Sequence, residues 1–128
     1  MRCLLDTCTL IWLAAEPSML SKRAADTLSA PGTTILVSDI SALELTLKWQ
    51  AGKIELPEPP RQWVEHQLRS WRTNDVPLSR EVIYRASELP LHHKDPFDRL
   101  LIASALVHDA AIVTPDELIR AYPVAVLW

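Results

Sequence analysis

Four carboxylates, Asp6, Glu44, Asp98 and Asp116, have the types and settings for joint chemistry. Asp6 closes the apolar run at residues 2–6 (RCLLD), and Asp116 follows another at 110–114 (AAIVT). On a helical wheel Glu44 adjoins Ile40 and Leu47, at the border of an apolar face, whereas a solvated glutamate belongs on the far side. Asp98 shares a helix face with Leu101, Ile102 and Ala105, so its carboxylate is expected where helix meets sheet. Each acid also has a capping account. Asp6 suits the N-cap of a following helix, and Asp95-Pro96 supplies a cap and a first helical residue with Asp98 favouring the dipole. Ser41-x-x-Glu44 and Thr114-x-x-Glu117 have the form of capping boxes, although Ser38-Asp39 make a better helix start than Ser41. Capping does not explain why four acids from four segments fall at one sheet edge. Gathered without a cation they repel one another and lose hydration. An all-oxygen donor set suits Mg²⁺ or Mn²⁺; zinc would want more His or Cys. Asp95 is assigned to capping, with the site as its second role.

The elements that must position these acids alternate between short apolar strands and helices. Strands are expected at 2–6, 34–37, 75–78, 110–114 and 124–127, with Pro77 placing the third at an edge because proline cannot donate to a central ladder. Helices are expected at 8–15, at 21–30 begun by Ser21, at 40–51 with Ile40, Leu43 and Leu47 on one face, and at 63–71. Another runs from the Ser79 cap to about Leu89, a regular one opens at Asp95-Pro96, and Pro115 starts a short one. Gly52 stops the third helix, and residues 53–60 form a proline-bearing loop. This order predicts a parallel sheet covered on both faces, whose ligands bind beyond the carboxyl ends of the strands.

The chain has 128 residues, the size of one domain, with 48% hydrophobic and 23% charged residues. No apolar stretch approaches the ~20 residues of a membrane span, and Asp6 interrupts what would be a leader's apolar segment. Cys3 and Cys8 lack the pattern of a disulfide framework, which favours free thiols in a reducing cytoplasm. A net charge of −3 argues against nucleic-acid binding by bulk electrostatics. Contacts with phosphate fall instead to local cations, for which Lys48, Lys53, Lys94 and Arg99 are candidates beside their ordinary role in surface solvation. His92 and His93 are expected as exposed loop residues. Trp12 and Trp49 are candidate partner-facing aromatics, consistent with a homodimer.

The segments LLDTCTLIWL, SDISALELTLKWQAGKIELP, HHKDPFDRLLIASAL and IVTPDELIRAYPVAVLW together resemble the four signature regions of PIN-domain ribonucleases, especially toxins of the VapC type. The resemblance spans nearly the whole chain. It implies an α/β three-layer sandwich over residues 1–128, with a five-stranded parallel sheet in the order 3-2-1-4-5. It further implies a metal-dependent endoribonuclease paired with a small VapB-type antitoxin, with Asp6, Glu44, Asp98 and Asp116 matching the family's acids. Pro115 stands where the family often has a basic or small residue, which leaves Asp116 the acid more suited to act through water.

On that account a carboxylate-held Mg²⁺, or Mn²⁺ in its place, lowers the pKa of a bound water and polarises a phosphoryl oxygen of RNA. Asp6 and Asp98 are the expected direct ligands, with Glu44 and Asp116 orienting waters or a second ion. Two rivals remain. A phosphatase with a nucleophilic aspartate would also place Asp6 after the first strand, but that chemistry wants a second aspartate where Cys8 stands. The other rival is a binding module that has kept the fold without catalysis.

Overall fold

The computed structural model describes residues 1–128. Its elements are β1 (Arg2–Leu5), α1 (Thr7–Ala15), α2 (Lys22–Ser29), β2 (Thr34–Ser38), α3 (Asp39–Gln50), α4 (Pro60–Ser70), β3 (Asn74–Val76), α5 (Arg80–Glu88), α6 (Pro96–Val107), β4 (Ala111–Val113) and β5 (Val126–Leu127), with 3₁₀ turns at Pro17–Met19 and Glu117–Ala121. The five strands form one parallel sheet in the order β3-β2-β1-β4-β5, as the resemblance implied. β1 is central, pairing Leu4 with Leu36 on one side and with Ile112 on the other.

Alternate strand residues feed two cores, because successive side chains point to opposite faces. Leu4, Leu36 and Ile112 pack with Val82 and Ala86 of α5 and Leu101, Ile102 and Ala105 of α6. Cys3, Leu5, Val37, Val113 and Leu127 pack with Leu10 of α1, Ala24 and Leu28 of α2, and Trp63 and Val64 of α4. The result is three layers, helix on sheet on helix. α3 contributes to both cores, Ile40 to the first and Leu45 to the second. No helix is long and apolar enough to cross a membrane.

Several expected boundaries move, each for a local reason. β3 ends at Val76, so Pro77 lies outside the edge strand, where its missing N–H costs nothing. α4 begins at Pro60 rather than at residue 63, because proline suits the first helical turn. β5 shrinks to Val126–Leu127, directly after the Pro123 segment. The turn after β4 is not begun by Pro115. Asp116 caps it, accepting from Leu118 N at 2.9 Å, while Thr114 Oγ1 accepts from Asp116 N at 3.1 Å. The expected Thr114/Glu117 box does not form, and Glu117 pairs with Arg120 instead. Gly52 does stop α3, taking φ 71°, a conformation that glycine adopts without a Cβ penalty.

The largest departure is the register of α3. Its expected apolar face fails, since Leu43 and Leu47 are 44% and 45% exposed. The inward face is Ile40, Ser41, Glu44 and Leu45. Ser38 accepts from Ile40 N at 3.0 Å, so the helix starts there and the Ser41/Glu44 box has no terminus to cap. Glu44 therefore points into the molecule, not along the border of its face.

Candidate active site

The carboxyl ends of β1 and β4 open onto a cleft of about 250 Å³ lined by Asp6, Thr7, Cys8, Glu44, Lys48, Asp95, Asp98, Pro115 and Asp116. All four sequence-derived acids and Asp95 thus face one space. Asp6 is the N-cap of α1, with Oδ1 accepting from Thr9 N at 2.8 Å. Thr9 in turn donates through Oγ1 to Val113 O at 2.9 Å, tying the β1–α1 turn to the end of β4. Asp98 lies in the first turn of α6, behind the Asp95 cap whose Oδ1 accepts from Phe97 N at 2.8 Å. Capping and site roles therefore coincide. A cap occupies one carboxylate oxygen and leaves the other for a ligand.

Glu44 is 6% exposed and is held from two directions. Thr7 Oγ1 donates to its Oε1 at 2.6 Å, and Lys48 Nζ lies 2.8 Å from its Oε2. Thr7 Oγ1 also lies 3.2 Å from Ser41 Oγ, which joins α1 to α3 beneath the cleft. The hydrogen bond to Glu44 raises the Lys48 pKa above its ordinary value, against a smaller effect of burial.

Asp98 carries the electrostatic signature of the site. Burial, and then the neighbouring Asp95 carboxylate, raise its pKa to about 7, with His93 opposing and Glu44 and Asp116 adding to the rise. The Cys8 thiol, 3.3 Å from Asp6 Oδ1, is pushed up to about 12 by burial and then by Asp6, so it stays protonated and donates. The donors around the cleft are carboxylate oxygens whose charge the protein only partly offsets, a set that fits a hard divalent cation. Asp98 Oδ1 and Asp6 Oδ2 are the least committed, while Asp116 spends Oδ1 on Leu118 N and Oδ2 on His93.

Two residues require correction. His93 is not an exposed loop residue. It is 8% exposed, and its Nε2 lies 2.9 Å from Asp116 Oδ2 and 3.0 Å from Asp98 Oδ2. Arg99 is not free for phosphate. Its guanidinium donates to the carbonyls of Ala86 and Leu89 at the end of α5, to Pro90 O, and to Tyr122 Oη. Thr7 was not among the sequence candidates, and its position one residue after the Asp6 cap was the only available signal. Lys48, Lys53 and Lys94 line a second groove of about 620 Å³, with Leu47, Ala51, Pro96 and Phe97, that shares Glu44, Lys48 and Asp95 with the acid cleft. Trp49 is 38% exposed as expected, but Trp12 packs on Trp128 with ring centroids 5.9 Å apart.

Comparison with known proteins gives consistent matches. The PIN domain family model covers residues 3–124. Ribonuclease VapC22 of Mycobacterium tuberculosis (strain ATCC 25618 / H37Rv) is 32% identical over 120 residues, 93% of this chain and 90% of that protein. The structure is similar to VapBC2 from Rickettsia felis bound to a DNA fragment from its promoter, with TM-score 0.73, 18% identity, and 98% and 97% of the two chains covered. It is also similar to a toxin-antitoxin complex from Klebsiella pneumoniae, with TM-score 0.63, 20% identity, and 98% and 96% covered. FitAcB from Neisseria gonorrhoeae gives TM-score 0.62, 20% identity, and 97% and 95% covered. At these identities the structural likenesses speak for the fold.

Proposed function

The chain belongs to the PIN-domain family, in its VapC-type ribonuclease branch, and from that premise we propose that it is a Mg²⁺-dependent endoribonuclease toxin, with Mn²⁺ able to substitute. Cellular RNA is its substrate, and residues 1–128 form one catalytic domain acting in the cytoplasm. The observation that carries this reading is the cluster of Asp6, Glu44, Asp98 and Asp116 around one cleft, with Asp98 raised to about 7 by burial and then by the neighbouring Asp95 carboxylate. Asp6 and Asp98 would hold the ion directly through their less committed oxygens, Asp6 Oδ2 and Asp98 Oδ1. Glu44 and Asp116 would orient water. Bound there, the ion supplies polarisation of a phosphoryl oxygen and activation of a water nucleophile. Lys48, which lines both the cleft and the groove, would meet a phosphate. Lys53 and Lys94 offer the flanking strand two further charges, and Asp95 completes the acidic rim. This local arrangement offsets the net charge of −3 where RNA would lie.

The experiment is incubation of antitoxin-free protein with total cellular RNA in Mg²⁺ and in excess chelator. Cleavage is expected only with the cation, and robust cleavage in chelator, with contaminating nucleases excluded, overturns the reading. Phosphate release from small esters with RNA left intact would indicate a phosphatase. Failure to bind Mg²⁺ would indicate a non-catalytic module.

The structural neighbour from Klebsiella pneumoniae is a toxin-antitoxin complex, and a small VapB-type antitoxin is the proposed inhibitor here. A basic side chain offered to the acids would be favoured while the ion is absent. The exposed Leu43, Leu47 and Trp49 supply apolar area for a partner or for a homodimer. Co-expression with the product of the adjacent reading frame is expected to yield a stable complex; no complex with any neighbour-encoded protein counts against it.

A further inference from the structure

His93 is placed by its surroundings with more care than a loop histidine requires. Its backbone N–H donates to Tyr122 Oη at 2.8 Å, and that of His92 does so at 3.1 Å. Tyr122 Oη donates to Pro90 O at 2.8 Å, so one buried phenol gathers the connection between α5 and α6. The ring itself is then fixed at both nitrogens. Nδ1 faces the backbone N–H of Asp95 at 3.1 Å. A backbone amide is only a donor, so Nδ1 must accept and the ring proton sits on Nε2. That Nε2 is the atom 2.9 Å from Asp116 Oδ2 and 3.0 Å from Asp98 Oδ2.

We infer that His93 is a positioning residue, donating from Nε2 to both Asp98 and Asp116 and so setting the carboxylate geometry of the cation site without being a ligand. The inference rests on the proposal that these acids hold a divalent ion. Asp98 and Asp116 come from different elements, and as like charges they would separate if nothing stood between them. One shared donor draws both Oδ2 atoms to a common point. Asp98 Oδ1 is left for the cleft. Ligation through Nε2 would require the proton to move to Nδ1, where it would meet the Asp95 N–H, donor against donor. The histidine therefore does not convert the oxygen site into one that favours zinc.

Whole-chain protein, His93→Ala and His93→Gln are to be titrated with Mn²⁺ by calorimetry and by the free-ion electron paramagnetic resonance signal, with melting curves on each. Glutamine keeps an N–H donor near the position of Nε2. The expected result is a Mn²⁺ affinity about 10–100-fold weaker in His93→Ala, in line with the loss of a group that orients a ligand, and largely recovered in His93→Gln. Nitrogen-15 imidazole spectra of the native chain should show the Nε2-protonated tautomer with and without Mg²⁺. Equal binding by all three proteins, or no recovery in His93→Gln at native-like melting, overturns the positioning role while leaving the metal reading intact. A proton on Nδ1 in the Mg²⁺-loaded protein also overturns it and makes His93 a ligand. Absence of Mn²⁺ binding by the native chain overturns both. Should His93→Ala not fold, the glutamine variant and the tautomer carry the test.

Discussion

Lys48 Nζ lies 2.8 Å from Glu44 Oε2, one turn further along α3, so the acid cleft carries a cation of its own. The glutamate side chain is 7% exposed and the lysine 44%. Lys48 therefore offsets a buried charge from the solvent side. Two consequences of removing it have opposite signs. Lys48→Met keeps the apolar stem and should cost ~1 kcal/mol of stability, a modest value because solvent screens the pair. It should also tighten Mn²⁺ binding several-fold, since a competing positive charge is gone. RNA cleavage should fall all the same, because the phosphate loses its nearest ammonium. Calorimetric Mn²⁺ titration beside cleavage rates at saturating Mg²⁺ checks this, and weaker metal binding in the variant would refute it.

Asp98 gives the metal-free protein an unusual dependence on pH. Its pKa rises from 3.8 to about 7 on folding, so across that interval the folded chain keeps a proton that the unfolded chain has released. Stability attributable to Asp98 is then greatest below about 4, falls as pH rises towards about 7, and levels off above that. With ~1.4 kcal/mol per pKa unit and a side chain that retains some solvent, the loss should be about 2 kcal/mol, or several degrees in melting temperature. Mg²⁺ binds the ionised form and should restore the alkaline side. Melting curves at pH 5 and pH 8, in chelator and in Mg²⁺, provide the measurement; a metal-free protein more stable at pH 8 contradicts it.

Why these features were unevenly legible follows from what sequence patterns record. Asp6 and Asp98 could be found because a strand end and a helix face place them, and both are local. α3 was misread because apolar periodicity marks the core only when the buried face is apolar. Here the inward face carries Ser41 and Glu44, and Leu43 and Leu47 lie outside. His93 depends on Tyr122, 29 residues further on, and on a backbone N–H, neither of which a local pattern contains. The partners of Arg99 are mostly carbonyl oxygens, which every residue possesses and no sequence distinguishes. The strand order came from the resemblance, since alternation predicts a parallel sheet without ordering its strands.

The fate of Arg99 separates it from the lysines. Arg99→Ala removes the donor from the carbonyls of Ala86, Leu89 and Pro90 and should cost about 2–3 kcal/mol, the range for lost hydrogen bonds to a charged group. Lys53→Ala and Lys94→Ala, both at exposed positions, should leave melting almost unchanged. Each should instead weaken RNA binding and reduce its salt dependence by roughly one phosphate contact. Filter binding across a salt series, beside melting curves, reads both effects. A lysine variant with native salt dependence would remove that residue from the RNA path.

Asp98→Asn is the variant on which capping and metal binding disagree in sign. The amide keeps the shape and a carbonyl oxygen for the His93 N–H, and it removes the charge. If Asp98 served only the dipole of α6, its loss should cost roughly 0.3–1 kcal/mol at neutral pH and leave cleavage nearly intact. If it holds the ion, Mn²⁺ affinity and RNA cleavage should both collapse, and expression should no longer arrest growth. Stability then moves the other way. At pH 8 the native chain buries an ionised carboxylate beside Asp95, Glu44 and Asp116, so the neutral amide should melt higher in chelator. Below about pH 4 the native carboxyl is protonated in the folded and unfolded chains alike and the two proteins should melt together, whereas at pH 5 the amide should keep an advantage smaller than at pH 8. The variant thus also tests the pH dependence, which should flatten when Asp98 is the group responsible. The expected protein is folded, more stable than native at pH 8 without metal, and inactive with it. One that melts earlier at pH 8 and still cuts RNA would return Asp98 to the helix cap and leave the cleft without its central ligand.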